Sequence, residues 1–353
     1  MRIFEREARS LADSGEYEVH IAGAGVLPND TPVRLLPLPP RPTRRVSRFT
    51  RGPYDAWKFA RTHDFDIWHF HDPEALPVAI WLARRGKTVI WDAHEDYSAE
   101  VASDGAKSWV PGPLRGITRS ALSRLLTTTD NSVAAVVAAT DTISSRYRNP
   151  RTVVVGNEAR LSDFADCAPT FTSRQVLFTG SPTDGHCFPQ LISALESLPD
   201  VTLAVAGHPP DEAVWADATR RLGPRVRHVG WLDRAGLSAI ISKASVGLVL
   251  YSDTAAHAVN AGNKLFEFVA AGLPIVATPT LSNRRYLADS HGGVIADDFS
   301  PSGLRIAIAE AFSDRGRWED WASAGRSWAL SHGSWEASER RLLDLYADLT
   351  AAD

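Results

Sequence analysis

Cysteine is nearly absent from this chain of 353 residues: Cys167 and Cys187 are the only two. They cannot build a disulfide framework, so a reducing compartment, the cytoplasm, is the expected setting. Long hydrophobic runs are missing too. No segment approaches the ~20 apolar residues that cross a bilayer, and the N-terminus is charged from Arg2 onward, unlike a secretory signal. Neither sign of charge dominates. With 38 basic and 42 acidic residues and a net charge of −4, nothing in the overall balance draws the chain to nucleic acid. Lysine is scarce, contributing five of the 38 cationic side chains. Together with abundant alanine this marks a GC-rich gene and says nothing about chemistry.

What is present is an alternation of strands and helices. At this length two domains are expected, each able to bury its own core. Met1 to Ser14 reads as a helix, with Ile3, Phe4, Ala8, Leu11 and Ala12 on one face and Gly15 ending it. Tyr17, Val19 and Ile21 alternate as a strand, and residues 33–38 make another. Residues 37–61 open with prolines. They continue with Arg41, Arg44, Arg45, Arg48, Arg51, Lys58 and Arg61, interleaved with Phe49, Tyr54 and Trp57. That is either a solvated loop entering a helix, or a basic, aromatic surface that meets anionic lipid or a phosphate-bearing acceptor.

Two strands then end in polar groups. The first, from Asp66, closes in His71-Asp72-Pro73, and a helix follows over residues 74–85. The second, from Thr88, closes in Asp92-Ala93-His94-Glu95-Asp96-Tyr97. Ligands of open α/β sheets bind beyond the carboxyl ends of the strands. His71, Asp72, His94, Glu95 and Asp96 are therefore expected to converge, with the first four as the catalytic group. Two histidines and several carboxylates could bind zinc, but no helical His-x-x-x-His and no cysteine pair supports it, so no metal is expected. A helix over 113–131, strand 133–139, helix 140–148 and strand 152–155 complete this half, and a polar stretch to about Ser173 reads as the linker.

The second half begins with a strand from Gln175 to Gly180 and a turn from Ser181 to His186. Strand–helix units repeat from there: 201–206 with a helix after Asp211, 226–229 with 233–243, then 246–251. Strand, helix, strand at this period means a parallel sheet with right-handed crossovers. Helices over 300–312, 318–332 and 334–349 close the chain.

One stretch organises the rest. Asn263-Lys264-Leu265-Phe266-Glu267-Phe268-Val269-Ala270-Ala271-Gly272 is a short helix with Asn263 as the expected N-cap, and Leu273 to Thr278 is a buried strand. A helix N-terminus attracts anions. A carboxylate one turn in cannot favour a phosphate, but it can accept hydrogen bonds from ribose hydroxyls. A phosphate beside a sugar describes a nucleotide. If Glu267 were turned into the protein interior, this reading would lose its anchor.

Asn-Lys-Leu-Phe-Glu-Phe followed by Ala-Ala-Gly-Leu-Pro-Ile-Val-Ala resembles the donor-binding helix and strand of family 4 of the retaining glycosyltransferases, the group 1 glycosyltransferases. His-Asp-Pro and Asp-x-His-Glu-Asp-Tyr resemble acceptor-side loops of a subgroup, and Gly230-Trp231-Leu232 resembles the base-contacting turn. The resemblance covers nearly the whole chain. It implies the GT-B fold: an acceptor-side Rossmann-like domain over 1–162 facing, across a cleft, a donor domain over 173–331, with a last helix over 332–353 crossing back. It implies transfer with retention from a nucleotide-diphosphate sugar, a UDP-sugar foremost, without a divalent metal. The donor would meet Gly180, Ser181, His186, Gly230, Trp231, Asn263, Lys264, Leu265 and Glu267. The acceptor would be a sugar, a lipid-linked glycan or a small molecule, reached in the cytoplasm or at the inner face of the membrane. Arg-Ile-Phe-Glu-Arg-Glu-Ala resembles the family's first helix, which follows a central strand. That strand is missing here, and the expectation is that the native chain starts earlier.

Four positions depart from the pattern. Val259 stands where a glutamate is common, Ser181 and His186 where arginine and lysine clamp phosphate, and Cys187 where glycine follows. Neutral imidazole binds phosphate less firmly than a guanidinium. Two other readings follow: a nucleotide-sugar epimerase on the same fold, using the His–carboxylate cluster as acid and base, and a non-catalytic GT-B scaffold subunit.

Overall fold

A computed structural model of the chain describes residues 2–28, 30–40, 45–94, 97, 115–254, 257–258 and 262–351. Two compact units emerge. The first comprises Met1–Gly156 with Ala337–Asp353, the second Asn157–Glu336.

The first unit opens with a π-helical turn, Arg2–Ala8, that continues into α1 (Arg9–Asp13). Its strands are β1 (His20–Gly23), β2 (Arg34–Pro37), β3 (Ile67–Phe70), β4 (Thr88–Ala93), β5 (Ala135–Ala138) and β6 (Thr152–Val154). Between them run α2 (Arg45–Ala60), α3 (Leu76–Ala83), α4 (Arg115–Asp130) and α5 (Asp141–Ser144). The strands form two separate parallel sheets, β1-β2 and β3-β4-β5-β6. No described strand joins β1 to β3. β4 and β5 are buried almost throughout, as expected of parallel strands covered on both faces. Their side chains pack with Trp68, Leu76 and Leu82.

The second unit repeats one motif: β7 (Gln175–Thr179), α6 (Phe188–Glu196), β8 (Thr202–Ala206), α7 (Glu212–Leu222), β9 (Val226–Gly230), α8 (Arg234–Lys243), β10 (Val246–Val249), α9 (Asn263–Ala271), β11 (Ile275–Ala277), α10 (Leu281–Ser290), β12 (Gly293–Ile295) and α11 (Pro301–Ala311). Two longer helices follow, α12 (Arg315–Ser331) and α13 (Trp335–Thr350). The sheet order is β12-β11-β10-β7-β8-β9, all parallel. The strand order reverses between β7 and β10, and such a switch point opens a crevice at the strands' carboxyl ends. Side-chain caps set the helix starts: Asp211 accepts from Ala213 N, Asp233 from Gly236 N and Ser300 from Gly303 N.

Residues 157–173, polar enough to read as a linker, are built into the second unit. Ala159 and Phe164 are fully buried there, and Ala159 O accepts from Trp335 N at 2.9 Å. α13 begins in the second unit, while residues from Ala337 group with the first, where Ser338 Oγ accepts from Gly156 N.

Candidate active site

On one side of the switch point of the second unit the strand ends carry glycine. β7, β8 and β9 end in Gly180, Gly207 and Gly230, with φ of +115°, +148° and +83°. Gly180 N donates to Ala206 O and Gly207 N to Gly230 O, each at 2.8 Å, so pairing continues to the very ends of the strands. A Cβ on Gly207 would lie 2.4 Å from the Gly180 carbonyl oxygen. The three glycines leave a shelf without side chains at the edge where open sheets bind ligands. Gly207 was not among the residues expected from sequence, although its place one residue past a strand was a usable signal.

Lys264 closes one side of this shelf. It is buried, its Nζ 3.9 Å from the position a Cβ of Gly180 would take. The ammonium rests 4.7 Å from the Tyr251 ring centre and 5.2 Å from that of Phe178. Nζ makes no hydrogen bond among the described residues. Burial pushes its pKa down to about 8, against the opposing pull of Glu267, and burial with the Glu267 charge pushes the Tyr251 phenol up to about 12. At neutral pH the cation is therefore held by aromatic faces and one nearby carboxylate. An anion placed on the shelf would supply the hydrogen bonds that Nζ lacks.

Tyr251, another residue not expected from sequence, also anchors the start of α9: a Cβ on Gly262 would fall 1.8 Å from its hydroxyl. This explains a correction. The N-cap of α9 is Gly262, with no side-chain cap, and Asn263 is the first helical residue. His186 packs on the same group, its ring 5.5 Å from Tyr251 and 6.2 Å from His257, and its Nδ1 is 3.0 Å from Thr183 Oγ1. Ser181 is half-buried in the same turn, and Trp231 stands 56 % exposed beside Gly230. Cys187 adopts φ +49°, the left-handed conformation that glycine takes without strain. Burial raises its thiol pKa to about 11.

Two expected donor contacts sit differently. The Leu265 side chain is fully buried in the core. Glu267 is turned into the interior, 6 % exposed, with Oε1 3.2 Å from Arg234 Nη1. The sequence reading made a surface-facing Glu267 its anchor, and the folded chain does not provide one. Val259 lies outside the described residues.

In the first unit the carboxyl end of β3 carries a buried polar network. His71 Nδ1 lies 2.9 Å from Asp92 Oδ2 and 3.7 Å from Glu7 Oε2. The His69 ring stacks on His71 at 4.5 Å, and His69 Nδ1 is 2.9 Å from the Tyr346 hydroxyl. Burial, then the charges of Glu7 and Asp92, raise the Tyr346 phenol well above its usual pKa. Tyr97 donates to the His71 carbonyl at 3.4 Å and lies 3.1 Å from His94 Nε2, which ties the two histidine turns together. Asp72 is exposed. Glu95 and Asp96 lie outside the described residues. Glu7, His69, Asp92 and Tyr346 were not expected. Asp92 is the first residue of the Asp-x-His-Glu-Asp-Tyr motif, so it was within reach.

Ligand atoms of Glu7, His69, His71 and Asp92 all lie within 4.8 Å of one another. Zinc sets its four ligand atoms about 3.4 Å apart, at bonds of about 2.0–2.2 Å. Here the shortest printed contact is the His71–Asp92 hydrogen bond at 2.9 Å. The buried carboxylates of Glu7 and Asp92 thus lie beside the His71 imidazole, and Arg6, next in the chain, is 2 % exposed.

Two family models match the chain. The one described as Glycosyltransferase Family 4 covers residues 2–157, and that described as Glycosyl transferases group 1 covers residues 173–314. The chain belongs to the group 1, family 4 glycosyltransferases. A phosphatidyl-myo-inositol mannosyltransferase of Mycobacterium leprae is 24 % identical over 331 residues, 88 % of this chain and 79 % of that protein. Sucrose-phosphate synthase of Thermosynechococcus elongatus superposes with a TM-score of 0.78 at 18 % identity, covering 99 % of this chain and 94 % of the other. Anabaena HepE in complex with UDP and glucose superposes with a TM-score of 0.66 at 13 % identity, covering 90 % and 86 %. The fold of this family member is GT-B, with parallel α/β sheets in two domains. No described helix is long and apolar enough to cross a membrane.

Proposed function

We propose that this glycosyltransferase moves a sugar from a nucleotide-diphosphate sugar, a UDP-sugar foremost, to an acceptor hydroxyl with retention of configuration. One observation carries the donor reading: the buried Lys264 ammonium beside Gly180, on a shelf of bare backbone at the switch point. Breaking the sugar C1–O bond leaves growing negative charge on the departing diphosphate. A fixed cation aimed at that charge is typically worth a few kcal/mol of barrier. In this reading Lys264, Gly180, Ser181 and His186 face the diphosphate, Trp231 and Gly230 the base, and Asn263 the phosphate beside the first turn of α9. Glu267 reaches the ribose only by exchanging its contact with Arg234 for the hydroxyls. On the acceptor side His71, oriented by Asp92, faces the reacting centre, with Asp72, His94 and Glu95 around it. Retention, which the family resemblance implies, has the acceptor attack from the leaving-group side. The positioning of the two substrates supplies the rest. The similarity to a structure holding UDP and glucose supports a UDP-sugar.

Calorimetric titration with UDP, GDP and dTDP tests the donor, and the anomeric configuration of the product tests retention. Glu267→Ala should weaken nucleotide binding by about 1–3 kcal/mol if its ribose contact forms, and His186→Arg should strengthen it. The interior Glu267–Arg234 pair favours a second reading, a non-catalytic subunit that kept the GT-B fold. Failure of all three nucleotides to bind would make that reading the better one. Turnover of a nucleotide sugar without acceptor would instead indicate an epimerase.

The acceptor reading includes a lipid-linked glycan at an anionic surface, met by residues 41–61. Arg41 and Arg44 lie outside the described residues. On α2, Arg51 sits 3.5 Å from Asp55, and Arg61 lies 4.8 Å from the Trp57 ring centre. Sedimentation with phosphatidylglycerol vesicles tests this contact, and no difference from neutral vesicles would remove it.

A further inference from the structure

Two histidines stand near the buried Lys264 ammonium, brought there by different connections of the second unit. His186 belongs to the turn between β7 and α6, and His257 to the connection between β10 and α9. Both pack on the Tyr251 ring, with ring centres 5.5 Å and 5.2 Å away, and their own centres are 6.2 Å apart. Lys264 Nζ lies 4.7 Å from the centre of the same Tyr251 ring. Phe178 completes the group, its ring centre 5.2 Å from Nζ and 6.3 Å from the His186 ring. One phenol ring thus gathers two imidazoles and an ammonium.

The two connections are pinned to each other. Ser252 N donates to Gly185 O at 3.0 Å, and a Cβ on Gly185 would lie 3.5 Å from His257 Cε1. His257 Nδ1 is 3.2 Å from both the carbonyl oxygen and the hydroxyl of Ser252. A carbonyl only accepts, so this contact places the ring proton on Nδ1, and the second proton, gained on charging, goes to Nε2. On His186 the Nδ1 contact is with the Thr183 hydroxyl at 3.0 Å. Both rings are half-buried, and each is oriented through Nδ1.

Charge decides what such a group can hold. Burial, then the Glu267 charge, pushes the Tyr251 phenol up to about 12, so it stays neutral. Glu267 itself is buried against Arg234, and Asp184 and Asp253 are exposed in the two connections. Charging both imidazoles beside Lys264 gathers three positive groups. Like charges this close resist charging together unless an anion sits among them. A ligand with two adjacent negative charges answers that need better than a single phosphate.

The geometry points to His257 as a second imidazole for the sugar donor: with His186 it forms a proton-dependent clamp on the diphosphate, alongside Lys264. This deepens the donor reading above and rests on it. Protonated, the His257 ring presents an N–H where the neutral ring presents a lone pair, and its hydrogen bond to a phosphate oxygen is charge-assisted. Imidazole ordinarily charges near pH 6.5, so donor affinity rises as pH falls through that value. Lys264, with its pKa of about 8, keeps most of its charge over the same range and does not supply this rise.

UDP-glucose is the probe. Its diphosphate keeps both charges between pH 5.5 and pH 7.5, whereas the terminal phosphate of UDP gains a proton near pH 6. Calorimetry should show binding about tenfold tighter at pH 5.5 than at pH 7.5. His257→Gln should cut that gain to about threefold or less, and the double variant with His186→Gln should abolish it. His257→Lys, which carries its charge at both pH values, should bind more tightly at pH 7.5 than His257→Gln does. Each gain is a ratio within one protein, so a variant that merely packs worse would lower both affinities and leave the ratio alone. Equal parent affinity at both pH values, or a His257→Gln variant that keeps the parent's gain, would overturn this inference and leave the donor reading in place. No binding of UDP-glucose at either pH would overturn both.

Discussion

The two units handle charge in opposite ways. In the first, the groups at the end of β3 are committed to one another: His71 to Asp92 and Glu7, and His69 to Tyr346. In the second, Lys264 is buried on aromatic faces with no hydrogen bond at Nζ. A network tied by several hydrogen bonds fixes geometry and is costly to break, although Glu7 Oε2 and His69 Nε2 make none among the described residues; a buried cation with no hydrogen bond at all weakens the fold and is ready to gain from a ligand. The difference suggests that the first unit positions a reacting group, while the second holds charge in reserve for an anion.

Breaking the His71–Asp92 contact should have the largest effect. Asp92→Ala removes a fully buried carboxylate from His71 and should cost about 3–5 kcal/mol of stability. Chemical denaturation measures this, and a loss below 1 kcal/mol would mean that the network is loosely held. Asp92→Asn keeps the shape, so its effect should fall on turnover with donor affinity unchanged.

Crowding the glycine shelf comes next. Gly207→Ala puts a methyl 2.4 Å from a carbonyl oxygen at φ +148°, and should cost about 2–4 kcal/mol. A melting temperature equal to that of the parent would show that the three strand ends are less tightly set.

Lys264→Met should reverse the usual sign. The folded pKa of Lys264 is lowered from 10.5 to about 8, so between those values the unfolded chain binds this proton more tightly. The lysine thus costs stability at pH 7, and that cost fades as pH rises through about 8 to 10.5. Replacement by methionine should stabilise the second unit at pH 7 by up to about 3 kcal/mol and remove that pH-dependent rise. Parent-like stability with the same pH dependence would place the charge elsewhere.

The smallest change is expected at Cys187. Glycine there relieves a left-handed backbone worth about 1 kcal/mol but removes a fully buried side chain of similar worth. The net effect in denaturant should stay within about 1 kcal/mol.

Much of the fold was legible because parallel strands buried on both faces read as apolar runs. Residues 246–249 and 135–138 are examples, each found within a residue or two of its observed limits. α10 and β12 escaped. Residues 281–290 carry no strong apolar face, and the three-residue strand at Gly293–Ile295 is too short to show a period. Of the candidate site, Gly180, Gly230 and Lys264 could be singled out because they stand at strand and helix ends. Glu267 could not. Spacing put it one turn into α9, but only the folded chain reveals that it is buried and meets Arg234, 33 positions earlier. Glu7 and Tyr346 reach His71 and His69 from the two ends of the chain, a meeting that local patterns do not encode.

The central claim is that Lys264 receives the donor's diphosphate, and titration of UDP into the parent and into Lys264→Met at pH 7 and pH 9 tests it most directly. The parent should bind about tenfold more weakly at pH 9, where a lysine of pKa about 8 is mostly uncharged. Lys264→Met should bind about 10–100-fold more weakly than the parent at pH 7, with no such dependence. Equal affinity of both proteins at pH 7 would contradict the account.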